Sequence, residues 1–371
     1  MTEEQQRHRV RSLSWRLLLC AILLGWVCQA IFLKEASEAY QRQGGDWDAL
    51  ARADQWRLAW VHGPRGLWQT LRLIQPAAGA ASLAFMGGTI LVGALRWRKV
   101  MHVQGIDLSR GRALSISFVA HFFNSFLLGS TGGDLVKALY AARLTHHRKT
   151  EAVVAVAVDR LIGLLSMLLF ATVMLLPNWS LVAAHRRLGA LSGLVVLMLL
   201  GGLAVATLSF WGGLSRRWPG ARQWLRSLPK SDMIERSLEA SRRFGREPRV
   251  LAETLALSML INVLCVLQVW ALARGLGIEI AATALFLIVP VIICISALPI
   301  TPSGLGLREN IYVWMLAVPE IHVAATQALS LSLLAYAGSL AWSMVGGLVY
   351  LGFRERASLT RPDPEAESPS A

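Results

Sequence analysis

Runs of about twenty apolar residues alternate along this chain with short Arg-rich segments, a pattern that predicts helices crossing a membrane. At 1.5 Å per residue, such a run spans the ~30 Å hydrocarbon core. Full spans are predicted near 14–33, 77–95, 151–176, 188–211, 250–273 and 324–352. Two further apolar runs, about 113–141 and 283–318, are interrupted by Gly, Pro and charged residues. Arg96, Arg98, Lys99, Arg110 and Arg112, read as a loop over 96–112, precede the first; Arg143, Arg148 and Lys149 follow it. Short basic segments stay cytoplasmic, so this run is predicted to enter from the cytoplasm and return to it. The second run has flanks poor in basic residues and is predicted to enter from outside. The expected fold class is an all-α integral membrane protein. It has about six full transmembrane helices and two re-entrant broken hairpins of opposite orientation, with both termini cytoplasmic.

Composition supports the membrane reading. The chain is 54% hydrophobic and 16% charged, with mean hydropathy +0.48, too little charge to cover a soluble surface. The formal charge of +14 could suggest nucleic acid, but the basic residues sit between apolar runs, as the positive-inside rule requires. No nucleic-acid partner is expected. Residues 1–353 read as one polytopic membrane domain and 354–371 as a disordered cytoplasmic tail. Within the domain, 34–76 carries Trp47, Trp56, Trp60 and Trp68 among charges and predicts an amphipathic helix at the external interface. The basic segment 214–249 predicts a cytoplasmic helix on anionic lipid. The N-terminal basic flank and apolar core resemble a signal peptide, but the long run favours a retained span. Cys20, Cys28, Cys265 and Cys294 lack disulfide or metal spacing and read as small buried hydrophobes.

The candidate chemistry lies in the interrupted runs. The first, HFFNSFLLGSTGGDLVKALYAAR over 121–143, groups Asn124, Ser130, Thr131, Gly132, Gly133, Asp134 and Lys137 at a helix break. Asp134 and Lys137, three apart, share a helical face. The next span carries Asp159 and Arg160 in its apolar run. A charge at membrane depth costs about 2.5–3.5 kcal/mol, so such residues face partners or water. The second, ALPITPSGLGLREN over 297–310, breaks a helix with Pro299, Pro302, Gly304 and Gly306, beside Thr301 and Ser303, and opens its return with Arg308 and Glu309. Irregular backbone at this depth belongs where protein encloses it or where it lines a wet cavity. Two opposed broken helices are the pattern of inverted-repeat transporters. Stapling of helices by these charges is the competing structural explanation.

At N-S-F-L-L-G-S-T-G-G-D-L-V-K (124–137), D-R-L-I-G (159–163) and L-P-I-T-P-S-G-L-G-L-R-E (298–309), the chain resembles flippase-like membrane proteins related to the transmembrane region of lysylphosphatidylglycerol synthase. Leu128 stands where that family often has proline. The resemblance implies a lipid translocase fold whose motifs line a central cavity. The synthase's soluble aminoacyl-transferase domain is absent from this sequence, so lysyl transfer is not expected.

These readings lead to a flippase or lipid-linked transporter of a lipid with an anionic, phosphate-bearing headgroup in a bacterial inner membrane. Arg308, Lys137 and Arg160 would contact the headgroup, and Asp134, Asp159 and Glu309 would hold those cations. No cofactor or metal is expected, and a homo-oligomer is compatible. No G-x-x-x-x-G-K-[ST] sequence occurs to suggest ATP use. The alternative is a glycosyltransferase using polyprenyl-phosphate sugars, for which Glu35, Asp46, Asp48 and Asp54 in 34–76 would be candidates. A hydrolase built on His121, His146 or His147 has no metal or nucleophile motif behind it. His121 reads as a hydrogen-bonded packing residue.

Overall fold

A computed structural model of the chain describes residues 29, 32–33, 36–37, 39–126, 132–144, 149–211, 240–297, 307–321, 323 and 325–352. The elements among them are helices: α1 (Arg52–Leu73), α2 (Pro76–Val103), α3 (Arg110–Phe126), α4 (Gly132–Leu144), α5 (Lys149–Val173), α6 (Trp179–Ala184), α7 (Arg186–Trp211), α8 (Pro248–Gly275), α9 (Ala282–Ser296), α10 (Leu307–Leu316) and α11 (Ala325–Gly352). No strand occurs among the described residues. Five helices, α2, α5, α7, α8 and α11, are long and apolar enough to cross a membrane. The protein is therefore a multi-pass, all-α membrane protein. Most of the run at 14–33, most of 214–249 and all of 354–371 lie outside the described residues.

Each interrupted run forms two short helices. In the first, α3 has 17 residues and α4 has 13; in the second, α9 has 15 and α10 has 10. At 1.5 Å per residue these reach about 15–25 Å, short of the ~30 Å core. The two halves of each run pack against each other, so each forms a hairpin. Within segment 34–76, α1 carries Trp56 and Trp60, both about half exposed.

One predicted boundary is corrected. Residues 96–103 are the last two turns of α2, not a loop. Apolarity falls at Arg96, but packing on α8 carries the helix onward. The α2–α8 pair is the most extensive in the fold, and its antiparallel register can be followed residue by residue. Gln75 donates its backbone N–H to the Gly275 carbonyl, Arg96 reaches Ser258 and Lys99 reaches Glu253. A Cβ on Gly275 would lie 2.6 Å from that of Ala78, and one on Gly88 would touch Leu264. Small residues bring the two backbones together where lipid offers no hydrophobic driving force.

The α3–α11 pair is the next most extensive. Trp342 stacks on Phe118, donates Nε1–H to the Leu83 carbonyl at 2.8 Å and fills the notch at Gly87, tying α11 to α3 and α2. Apart from a small cluster at Phe32, Ala36 and Ala59, two apolar clusters surround the hairpins among the described residues. One joins the ends of α2 and α5 near the first hairpin, from Trp97 to Tyr350, and the other surrounds the second hairpin. Helix α5 runs through both, with Ala155 and Val158 in one and Leu168 and Ala171 in the other. Helix α9 is apolar on every side and enclosed by protein, as a helix without a polar face must be.

Gly346 meets α3 with no room to spare: a Cβ there would sit 2.2 Å from the Phe118 carbonyl oxygen. Backbone cannot yield as a side chain can, so Gly346→Ala is expected to cost about 1–3 kcal/mol. Gly201→Ala, with nothing within 4 Å, should be neutral or stabilising by up to about 1 kcal/mol. Denaturant unfolding in detergent reads both, and equal stability of the two variants would contradict the packing.

Candidate functional site

The break in the first hairpin is held from α3. Asn124 Oδ1 accepts the backbone N–H of Gly133 at 2.7 Å, satisfying one of the free donors at the start of α4. Gly133 must be glycine, because a Cβ would lie 2.3 Å from the Ala120 carbonyl oxygen and 2.7 Å from the Asn124 amide. This close approach sets where α4 starts. Asp134 and Lys137 then face α5.

Their partners lie across the helix interface. Lys137 Nζ lies 3.9 Å from Asp159, and Arg160 Nε lies 3.6 Å from Asp134. The shared face expected for Asp134 and Lys137 is present, but it serves ion pairs to the next helix rather than one between the two. Asp159 has a closer partner that the sequence reading missed. Arg96 of α2 grips it with Nε to Oδ1 at 2.8 Å and Nη2 to Oδ2 at 3.1 Å. Its Nη1 donates to Ser258 Oγ on α8 at 3.0 Å, and Ser258 donates onward to the Thr254 carbonyl.

Gly163, one turn beyond Asp159, makes room for this guanidinium: a Cβ there would lie 3.0 Å from Arg96 Nη1. The motif D-R-L-I-G thus has a physical reading: Asp159 takes Arg96, Arg160 reaches Asp134, and Gly163 clears the space. Arg96 went unnoticed because three cations close together at the end of an apolar run resemble a loop.

The site has a closed side and an open side. Side-chain exposure is 13% for Arg96 and 5% for Asp159, against 32% for Arg160 and 24% for Asp134. Lys137 lies between, its ammonium 5.3 Å from the centre of the fully buried Trp97 ring. Among the described residues, three cations face two carboxylates here.

In the second hairpin, Arg308 pairs with its neighbour Glu309 at 2.5 Å, and Glu309 is 1% exposed. The same guanidinium lies 4.5 Å from the Tyr336 ring centre, and its Nε donates to Ser332 Oγ at 3.3 Å. Ser332 and Tyr336 begin a polar stripe on α11, continued by Ser339 and Ser343 at spacings of three and four residues. This stripe connects the hairpins. His121 of α3 lies 3.1 Å from the Ser339 carbonyl, and Ser343 Oγ approaches the Phe122 carbonyl. From Ser332 to Ser343 the stripe covers about 16 Å. A second buried polar face on α8 carries Thr254, Ser258, Asn262 and Gln268. Spacings of three and four on α11, and of four, four and six on α8, were the available signal, but isolated polar residues in an apolar span look like filler.

The structure therefore brings together Asn124, Gly133, Asp134, Lys137, Asp159 and Arg160, with Gly132 at the start of α4, and separately Arg308 and Glu309. Ser130, Thr131, Thr301, Ser303, Gly304 and Gly306 lie outside the described residues, as do Glu35, His146 and His147. Asp46 and Asp48 are exposed in a turn where Asp46 Oδ1 accepts the Asp48 amide. No group of three or more His, Cys, Asp or Glu suited to a metal occurs among the described residues.

A family model described as the lysylphosphatidylglycerol synthase TM region matches residues 50–347, most of the chain and every described element of both hairpins. The chain belongs to this family. The match includes the D-R-L-I-G helix and the described helices of both hairpins, so the charged cluster lies within the family's membrane region. A search of curated proteins finds no match.

Asp159→Leu should cost about 3–5 kcal/mol, because it leaves the Arg96 guanidinium buried without its carboxylate. Arg96→Met combined with Asp159→Leu should recover most of that loss. Denaturant unfolding of the wild type, Asp159→Leu, Arg96→Met and the double variant checks this. Two losses that simply add would mean that the pair is not coupled.

Proposed function

We propose that this protein is a lipid translocase of a bacterial inner membrane, with both termini cytoplasmic, moving a lipid whose headgroup carries a phosphate. The observation that carries the proposal is the cluster at the broken first hairpin, where, among the described residues, three cations face two carboxylates and the most exposed members, Arg160 and Asp134, lie at one edge. Charge at membrane depth is costly and usually serves a pathway or a ligand. A phosphate offers Arg160 paired, charge-assisted hydrogen bonds and Lys137 a compact anionic partner, in place of carboxylates at 3.6 and 3.9 Å.

In this account Arg96–Asp159 stays closed and holds α2, α5 and α8 in place. Arg160 and Lys137 exchange their carboxylates for the headgroup. The α11 stripe then gives polar contacts toward Arg308, whose partner Glu309 is displaced in the same way, while the acyl chains stay in the surrounding lipid. The protein moves a molecule and makes or breaks no covalent bond in it. Family membership supports a role with membrane lipids, and the three cations support an anionic headgroup.

The test uses proteoliposomes with fluorescent phosphatidylglycerol or phosphatidylcholine and quenches the outer leaflet with dithionite. Wild type should move the anionic lipid faster. Arg308→Ala and Arg160→Gln should each reduce that rate about tenfold or more, equivalent to roughly 1.4 kcal/mol, while unfolding in detergent stays cooperative. Undiminished movement in both variants would refute the proposal.

A further inference from the structure

We infer that a cavity at the α6–α7 corner is a second lipid site, which takes the headgroup and upper acyl carbons of an anionic phospholipid. The cavity measures about 710 Å³, within the range of small-molecule pockets. It lies between the start of α7 and the end of α10, and His185, Arg186, Arg187, Leu188, Leu191 and Trp314 line it. It is distinct from the charged cluster, because α5 runs about 20 Å from Asp159 to its end at Val173, beside this corner.

The lining has the two parts that a phospholipid requires. Arg186 and Arg187 are exposed and make no ion pair or side-chain hydrogen bond among the described residues. The carboxylate of this corner, Glu320, is already held by His185 Nε2 at 3.2 Å, leaving both guanidinium groups for an outside anion. Paired guanidinium groups suit phosphate oxygens. Below them the wall is apolar, formed by buried Leu188, half-buried Leu191 and Trp314, which is 55% exposed. Indole favours the level of the headgroups, where an acyl chain begins. A zwitterionic headgroup would bring its own ammonium against two arginines, so the site selects net negative charge. This inference holds whether or not the chain translocates lipid.

The experiment is native mass spectrometry of the full chain in detergent, titrated with phosphatidylglycerol or phosphatidylcholine. Wild type should retain one phosphatidylglycerol in preference to phosphatidylcholine. Arg186→Gln with Arg187→Gln should weaken that retention about tenfold, close to 1.4 kcal/mol. Ala190→Trp, which fills the cavity from an exposed position and keeps both charges, should weaken it likewise. Arg308→Ala should retain this lipid, which separates the site from the proposed transport path. Excess inorganic phosphate should not displace it. Equal retention of the two lipids, or full retention by the double glutamine variant, overturns the inference. Loss in the glutamine variant with none in Ala190→Trp reduces the site to surface charge, and displacement by phosphate reduces it to an anion site; both contradict it.

Discussion

The Arg96–Asp159 pair is the contact on which the rest of this structure depends. A lone charge at that depth is expensive on either partner, and neither is tolerable without the other. The two-pronged contact, with Ser258 on a third nitrogen, ties α2, α5 and α8 at one point. Those are three of the five long apolar helices. Once they are fixed, α5 presents Arg160 and the remaining reach of Asp159 to α4, and the first hairpin has a place to dock. The glycines fit the same plan. Gly163 admits the guanidinium, Gly133 admits the α3 backbone, and Gly346 lets α11 lie against α3.

Around this closed pair the protein tolerates looser ones. Longer contacts and higher exposure at Asp134–Arg160 mean that a ligand could compete there at little structural cost. The second hairpin follows a different design, with its cation paired to the adjacent residue and stacked on an aromatic ring. The α11 stripe gives the two hairpins a common wall, with Ser332 at Arg308 and Ser343 at the Phe122 carbonyl.

Much of this architecture could be read directly from the chain. Spans at 151–176, 188–211, 250–273 and 324–352 match helices to within a few residues, because twenty apolar residues in a row have few alternatives. The hairpins were legible because Gly, Pro and charged residues clustered in an apolar run disfavour an unbroken helix, although a single one, such as Pro290 within α9, does not break it. The end of α2 was not, since hydropathy falls at Arg96 and only the packing of α8 keeps the turn helical. Pairing was half legible. Asp134, Lys137, Asp159 and Arg160 stand out as charges in apolar surroundings, whereas Arg96 stands among other cations and declares itself only through Asp159. The hydroxyl stripes depend on which face of a helix meets which neighbour, and this is decided by tertiary packing.

In the proposed mechanism the open edge of the charged cluster meets water at membrane depth. The most direct measurement is the reaction of a cysteine at position 134 or 160 with a membrane-impermeant maleimide, added to either side of sealed proteoliposomes. The wild-type chain sets the background, and a cysteine at exposed position 46 sets the full rate. Reaction is expected from one side, and more slowly in vesicles rich in anionic lipid. Background labelling from both sides at 134 and 160, with position 46 fully labelled, would contradict this mechanism.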